Sequence, residues 1–163
     1  MSVIEIIINR ETESWPDGIE TTLETAARAA LATCPSDHDL ELGLTLADDA
    51  AVHELNLEHR AKDAPTNVLS FPLTDGSLKP DAPGAPILLG DVIMAQETIE
   101  REAVEQGKSF TAHAVHLTVH GVLHLLGHDH ETDAEASAME TLETEVLGRL
   151  GLANPYQTPP ERP

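Results

Sequence analysis

Apolar residues recur along this chain with two different periods. A β-branched run at 3–8 and strict alternation at 40–46 predict strands, and two further short apolar runs predict strands at 67–71 and 87–94. Residues that repeat with a helical period predict five helices, at about 17–33, 48–60, 95–106, 109–126 and 132–149. The predicted fold class is α+β, with a small mixed sheet of about four strands packed with about five helices.

Two segments rich in proline interrupt this pattern. Residues 75–86 carry three prolines and two glycines, which predict a surface loop between the third and fourth strands. Residues 153–163 carry four prolines and no apolar repeat, which predicts a flexible tail. The remaining stretch, 1–152, has the length of one domain, and we expect it to fold as a single unit.

The composition narrows the possible chemistry. The chain has 29 acidic and 9 basic residues and a net charge of −20, which argues against a broad affinity for phosphate backbones. Cys34 is the only cysteine, so any metal must be bound by nitrogen and oxygen rather than by a thiolate cluster. No apolar run approaches the roughly 20 residues that a membrane helix needs. We therefore expect a soluble, cytoplasmic protein with no membrane partner.

Six of the nine histidines fall between residues 113 and 130. At about 100° per residue, His113, His116, His120 and His124 lie within an arc of roughly 80° on the fourth predicted helix. Valine and leucine occupy most of the remaining helix surface. The helix is therefore predicted to be largely buried, with one narrow stripe of imidazoles.

Three of these histidines have the spacing of metal ligands. His120 and His124 are four residues apart, so both rings can reach one ion at about 2.0–2.1 Å. Gly127 permits the left-handed conformation that ends a helix, and His130 follows closely enough to turn back as a third ligand. Three nitrogen ligands with one open position are typical of a catalytic zinc site. We therefore expect 1–152 to be a metal-dependent hydrolase domain.

Several neighbouring residues have two interpretations each. The histidine spacing is also that of the metzincin proteases, but Gly121 stands where those enzymes carry their catalytic glutamate. His116 either supports the ligands or only packs in the core. Asp129 either orients a ligand histidine or caps the turn. Residues 132–135 predict a capping box at the start of the last helix.

A second group of polar residues lies at 59–72, where a helix end is predicted to meet a strand. Arg60 is a fixed cation in a chain with few of them, and one hypothesis is that it binds a phosphate or stabilises charge that develops on it. The alternative is structural: Arg60 interacts with helix-end carbonyls, Asp63 bonds local backbone and Ser70 merely alternates along the strand.

Gly90 and Asp91 interrupt an otherwise apolar predicted strand. Glycine within a strand often marks a bulge or a close approach of another backbone segment. Asp91 is either an inward carboxylate, which needs a partner, or a residue of an edge strand that faces water.

Three blocks of this sequence resemble the YbeY family of bacterial rRNA-maturation endoribonucleases. HGVLHLLGHDH at 120–130 is similar to the family's HGxLHLxGYDH, RAKDAPTNVLSFP at 60–72 to its RxxDxPTDVLSFP, and LGDV at 89–92 to its LGDI. The chain departs from the family at His59 and His128, where tyrosine is usual, and at Asn67, where aspartate is usual. None of these departures touches a proposed ligand, but Asn67 argues against an acid–base role at its position.

The resemblance implies a zinc-dependent, single-strand-specific endoribonuclease that acts in the maturation of small-subunit ribosomal RNA and in ribosome quality control. It implies one Zn2+ per chain, bound by His120, His124 and His130. It also implies that Arg60 is the catalytic residue that contacts the substrate. The further candidates for contacts with the ligands or the substrate are His116, Asp129, Asp91, Asp63 and Ser70.

The partners that the resemblance implies are single-stranded ribosomal RNA, the small ribosomal subunit and its assembly factors. Because the chain is acidic, we expect docking on a ribosomal protein or an assembly factor to bring it to its RNA. Two other functions remain open, a zinc hydrolase that acts on peptide or small-molecule bonds and a non-catalytic, zinc-containing assembly factor. The nucleophile is either a water molecule or the 2′-hydroxyl of the RNA.

Overall fold

The computed structural model describes residues 3–74, 78–80 and 82–152. Within these residues the chain forms four strands and five helices, so the predicted elements and the α+β class are confirmed. The predicted tail at 153–163 lies outside the described residues, as do 75–77 and 81 of the predicted loop. The element bounds are β1 Ile4–Arg10, α1 Ile19–Leu31, β2 Leu40–Ala47, α2 Asp49–Arg60, β3 Val68–Pro72, β4 Ile87–Ala95, α3 Gln96–Gln106, α4 Phe110–Leu125 and α5 Asp133–Arg149.

The four strands form one mixed sheet in the order β1-β2-β4-β3. β1, β2 and β4 run parallel to one another, and β3 lies antiparallel to β4 at the edge. The register between β2 and β4 shifts after Glu41, so that Leu42 pairs with Gly90. A Cβ atom at Gly90 would collide with the carbonyl oxygen of Phe71 on β3, which confirms the predicted close backbone approach at this glycine.

Helix α4 is the centre of the core. Ten of its sixteen residues are buried, because it packs against β3, β4 and the helices α1, α3 and α5. Leu123 and Leu125 of this helix are completely buried in the same cluster as Val92 and Met94 of β4. Full burial of such side chains contributes roughly 1.5–3 kcal/mol each. The helix, and the histidine stripe on it, are therefore held in a fixed position relative to the sheet.

The other face of the sheet is only partly covered. Leu69 of β3 packs there against Val52 of α2, in a small cluster that is separate from the main core. Further along this face Ile7 and Leu88 are about half exposed. No helix in the described part of the chain is both long and apolar enough to cross a membrane.

Candidate metal centre

Two histidines one turn apart in α4 direct the same ring nitrogen at a common point. The Nε2 atoms of His120 and His124 are 3.1 Å apart. Two ligands at about 2.0–2.1 Å from a tetrahedral metal ion are separated by about 3.3 Å. One nitrogen from each of His120, His124 and His130 lies within 4.8 Å of the other two. The three rings can therefore bind a single ion after a small adjustment.

His130 reaches this point because α4 ends in a hydrogen-bonded turn that reverses the chain. The N–H of Gly127 donates to the carbonyl of His124 at 3.0 Å, and the N–H of His128 donates to the carbonyl of Leu123 at 3.1 Å. Gly127 has a φ of 101°, a conformation that favours glycine. As a result, the ring centroid of His130 lies 5.2 Å from that of His124.

In both His120 and His124, the other ring nitrogen, Nδ1, is bonded to a hydrogen-bond acceptor. Nδ1 of His124 donates to the backbone carbonyl of His128 at 2.9 Å, and Nδ1 of His120 donates to Oε1 of Glu143 at 2.5 Å. Because the proton of each neutral ring is on Nδ1, both Nε2 atoms keep their lone pairs. Two facing lone pairs at this distance repel one another unless a cation lies between them, so the donor set fits a metal ion.

Burial keeps His124 in the neutral form that binds metal. Desolvation is the main cause that lowers the pKa of His124 to about 4, and the neighbouring imidazole of His120 acts in the same direction. At neutral pH the ring is therefore uncharged, and no proton has to be displaced from Nε2 when a metal binds.

Glu143 is the residue of this centre that sequence reasoning missed. Its side chain is completely buried, and its second oxygen, Oε2, accepts from Nε2 of His116 at 2.8 Å. The carboxylate thus joins His120, a candidate ligand, to His116, the preceding histidine of the stripe. The signal in the sequence was its position: Glu143 lies four residues after Met139 and three before Val146, which are both buried, so a carboxylate lies on the apolar face of α5.

His113 and His116 do not belong to the triad. His116 is bonded to Glu143, and Nε2 of His113 is bonded to Oε1 of Glu102 at 2.9 Å. His113 is 3% exposed, and burial lowers its pKa although Glu102 acts in the opposite direction. Each of these two rings is therefore paired with a carboxylate from another helix.

An open cleft of about 650 Å³ borders the triad. Arg60, the last residue of α2, lines it and forms no ion pair with any described residue. Ala61 follows with a φ of 55°, which ends the helix and leaves the guanidinium at the cleft. The cleft therefore combines three candidate metal-binding nitrogens with one arginine, and the carboxylates of Asp129 and Glu131 also line it.

The other sequence candidates are divided between the cleft and other surfaces. Ser70 and Asp129 line the cleft; Ser70 donates to the carbonyl of Gly121 at 3.2 Å, and Oδ1 of Asp129 accepts from the N–H of His130 at 2.8 Å. Asp63 bonds the ring of His53 at 2.7 Å and does not line the cleft. Asp91 is exposed on the partly open face of the sheet, where it lies beside Ile7 and Leu88.

Gly121 faces the sheet rather than the cleft. A Cβ atom there would lie 2.7 Å from Cγ1 of Val92 and 3.3 Å from Oγ of Ser70. Since this space is filled, a glutamate at position 121 could not take the place of the metzincin base without displacing the strands. The helix–sheet contact explains the glycine in the motif.

The α+β fold and the histidine triad define a protein with a candidate catalytic metal centre at the end of its central helix. The sequence profile of the family described as Endoribonuclease YbeY matches residues 5–151. The chain belongs to the YbeY family.

Similar proteins cover most of the chain. The protein named Endoribonuclease YbeY from Parvibaculum lavamentivorans is 48% identical over 160 residues, which cover 96% of this chain and 86% of that protein. The one from Paramagnetospirillum magneticum is 52% identical over 145 residues, which cover 89% and 88%. The solution structure of TM1509 from Thermotoga maritima has a TM-score of 0.58 at 22% identity and covers 97% of this chain and 99% of that one. At that identity, the structural likeness supports the fold alone.

Proposed function

We propose that this chain is a zinc-dependent, single-strand-specific endoribonuclease that acts in the maturation of small-subunit ribosomal RNA and in ribosome quality control. Endoribonuclease activity follows from membership of the family. Metal dependence is supported most directly by the facing Nε2 atoms of His120 and His124, with His130 beside them at the border of an open cleft.

In this proposal His120, His124 and His130 hold one Zn2+. When bound, zinc supplies Lewis-acid chemistry, which polarises a phosphoryl oxygen and increases the acidity of water. Arg60 donates from its planar guanidinium to the scissile phosphate and neutralises the charge that develops there in the transition state. Because Gly121 offers no base, the proton of the nucleophile goes to another group. A product that carries a 2′,3′-cyclic phosphate would exclude water as the nucleophile of the first step.

The substitution Arg60→Ala tests this function. We expect kcat/KM on single-stranded RNA to fall by roughly 10²–10³-fold, because one group that stabilises the transition state is lost, while the zinc content stays at one ion per chain. Arg28→Ala is the control: Arg28 is exposed, pairs with Glu24 and does not line the cleft. Full activity of Arg60→Ala, or of the metal-free protein, would refute the proposal, and equal cleavage of duplex RNA would refute the strand specificity.

The acidity of the chain suggests how it meets its substrate. A net charge of −20 repels free RNA, so in our proposal the protein docks on a ribosomal protein or an assembly factor of the small subunit in the cytoplasm. Affinities for bare single-stranded RNA and for intact small subunits should then differ strongly at physiological salt. Tight binding to bare RNA under these conditions would contradict the docking proposal.

A peptidase of the metzincin type is disfavoured, because position 121 faces the sheet and carries no carboxylate. We expect the zinc-loaded protein to leave casein intact. For a non-catalytic assembly factor, Arg60→Ala would retain full biological function, whereas our proposal predicts its loss. We also propose that 1–152 forms one metal-dependent hydrolase domain, which is supported by the family match over 5–151.

A further inference from the structure

The basic residues of this acidic chain divide into two groups. Eight of the nine lie in the described residues, since Arg162 does not. Four of the eight form ion pairs with carboxylates: Arg10, Arg28, Arg101 and Arg149. The other four form no ion pair among the described residues: Arg60, Lys62, Lys79 and Lys108. Among these four, Arg60 lines the cleft at the candidate metal centre, and Lys108 lies near the carboxylate of Glu102 without forming an ion pair with it.

Lys108 lines a pocket that adjoins the metal centre. The pocket has a volume of about 310 Å³ and shares two wall residues, Asn67 and His120, with the Arg60 cleft. The ring of His120 therefore borders both spaces, one with Arg60 on its wall and the other with Lys108.

The wall of this second pocket contains polar side chains that are hydrogen-bonded to one another. Oε1 of Glu102 accepts from Nδ2 of Asn67 at 2.9 Å and is bonded to Nε2 of His113, also at 2.9 Å. These bonds leave Oε2 of Glu102 and Oδ1 of Asn67 without a hydrogen bond to any other described residue. Lys108 is half-buried, and desolvation lowers its pKa. The pocket thus offers one partly desolvated ammonium together with acceptors for amino and hydroxyl groups, which is the chemistry of a nucleotide.

We propose that this pocket is a nucleotide-binding subsite that takes the unpaired nucleotide next to the scissile phosphate, with Lys108 bound to the phosphate of that nucleotide. The inference rests on the proposed endoribonuclease function and adds the source of its strand specificity. A volume of about 310 Å³ is at the lower end of the roughly 300–1,000 Å³ that small-molecule pockets span. It admits one nucleotide but not a base pair, so the strand must be unpaired at this position.

The first test compares zinc-loaded wild type, Lys108→Ala and Lys108→Arg on a set of single-stranded oligonucleotides that contain one cleavage position. A hydrogen bond to a charged group contributes enough that its loss costs about tenfold or more. We expect Lys108→Ala to lower kcat/KM about tenfold, mainly through KM, and Lys108→Arg to restore most of it. Removing the nucleotide next to the scissile bond on one side should lower the kcat/KM of wild type to that of Lys108→Ala. The same removal should leave the kcat/KM of Lys108→Ala unchanged. Arg28→Ala is the control for the loss of one positive charge.

The second test does not depend on cleavage. RNA binding to the metal-free protein is followed by fluorescence anisotropy at several salt concentrations, and Lys108→Ala should reduce the salt slope by about one. If wild type cleaves RNA but Lys108→Ala matches it on every oligonucleotide and in the salt slope, the subsite is refuted and the nuclease function stands. If wild type cleaves no RNA, the nuclease function is refuted, and an unchanged salt slope would then refute the subsite separately.

Discussion

The substitution Glu143→Gln tests the link between α5 and the metal centre. Glu143 accepts one hydrogen bond on each oxygen, from His120 and from His116, and its side chain is completely buried. Glutamine has nearly the same shape but a single acceptor oxygen. If its NH₂ group faces His120, the ring proton must move from Nδ1 to Nε2, which is the nitrogen proposed to bind the metal. In either orientation the carboxylate that raises the basicity of the ring is lost.

The expected effect is on metal affinity. Removal of a carboxylate that is bonded to a ligand histidine typically weakens metal binding about 10–100-fold, which corresponds to about 1.4–2.7 kcal/mol. Competition of the protein with a chelator for Zn2+ measures this directly, and the absorption spectrum of the Co2+ form reports the ligand geometry. The nuclease activity of Glu143→Gln should be closer to that of wild type at saturating zinc than at limiting zinc.

The chain contains a matched control for this experiment. Glu102 pairs with His113 of the same helix at 2.9 Å, but His113 is not a metal ligand. We expect Glu102→Gln to leave the metal affinity unchanged. Our reasoning is refuted if folded Glu143→Gln binds zinc as tightly as wild type. It is also refuted if both variants lose affinity equally, because the effect would then come from α4 as a whole.

Three further predictions concern packing, orientation and pH. Gly121→Ala should lower the Tm. The added Cβ atom would lie 2.7 Å from Cγ1 of Val92, and this contact costs more than the roughly 1 kcal/mol by which alanine is favoured over glycine in a helix. An unchanged Tm would contradict this. His128→Ala should keep one metal ion per chain by metal analysis, because the backbone carbonyl of His128, not its ring, orients His124. The metal-free protein should lose stability as pH falls below about 6.5, since the unfolded chain takes up a proton that buried His113 does not. His113→Gln should reduce the slope of Tm against pH, and an equal slope would count against the effect.

The features that depend on local periodicity were predicted correctly from the sequence. The strands, the helices and the close backbone approach at Gly90 follow from residue types over a few positions. The spacing of His120 and His124, followed by Gly127, predicted the convergence of rings, because a helix turn and its termination are local.

Long-range pairings were not predictable in the same way. Glu143 is 23 residues from His120, and its role depends on how α5 packs against α4. Asp91 was considered as an edge residue, but β4 lies inside the sheet, and the exposure of Asp91 arises because part of one sheet face has no helix over it. If Asp63 had a structural role, it was expected to bond local backbone. Instead it bonds the side chain of His53, which lies in α2, the helix that ends just before Asp63.

The groups of the proposed metal site come from successive segments of the chain, on both sides of the turn at Gly127. Two of the proposed ligands belong to α4, the third follows the turn, and the carboxylate that bonds the His120 ring comes from α5. In the proposed site, full metal affinity is therefore reached only after α5 has packed against α4, because Glu143 then fixes the ring of His120.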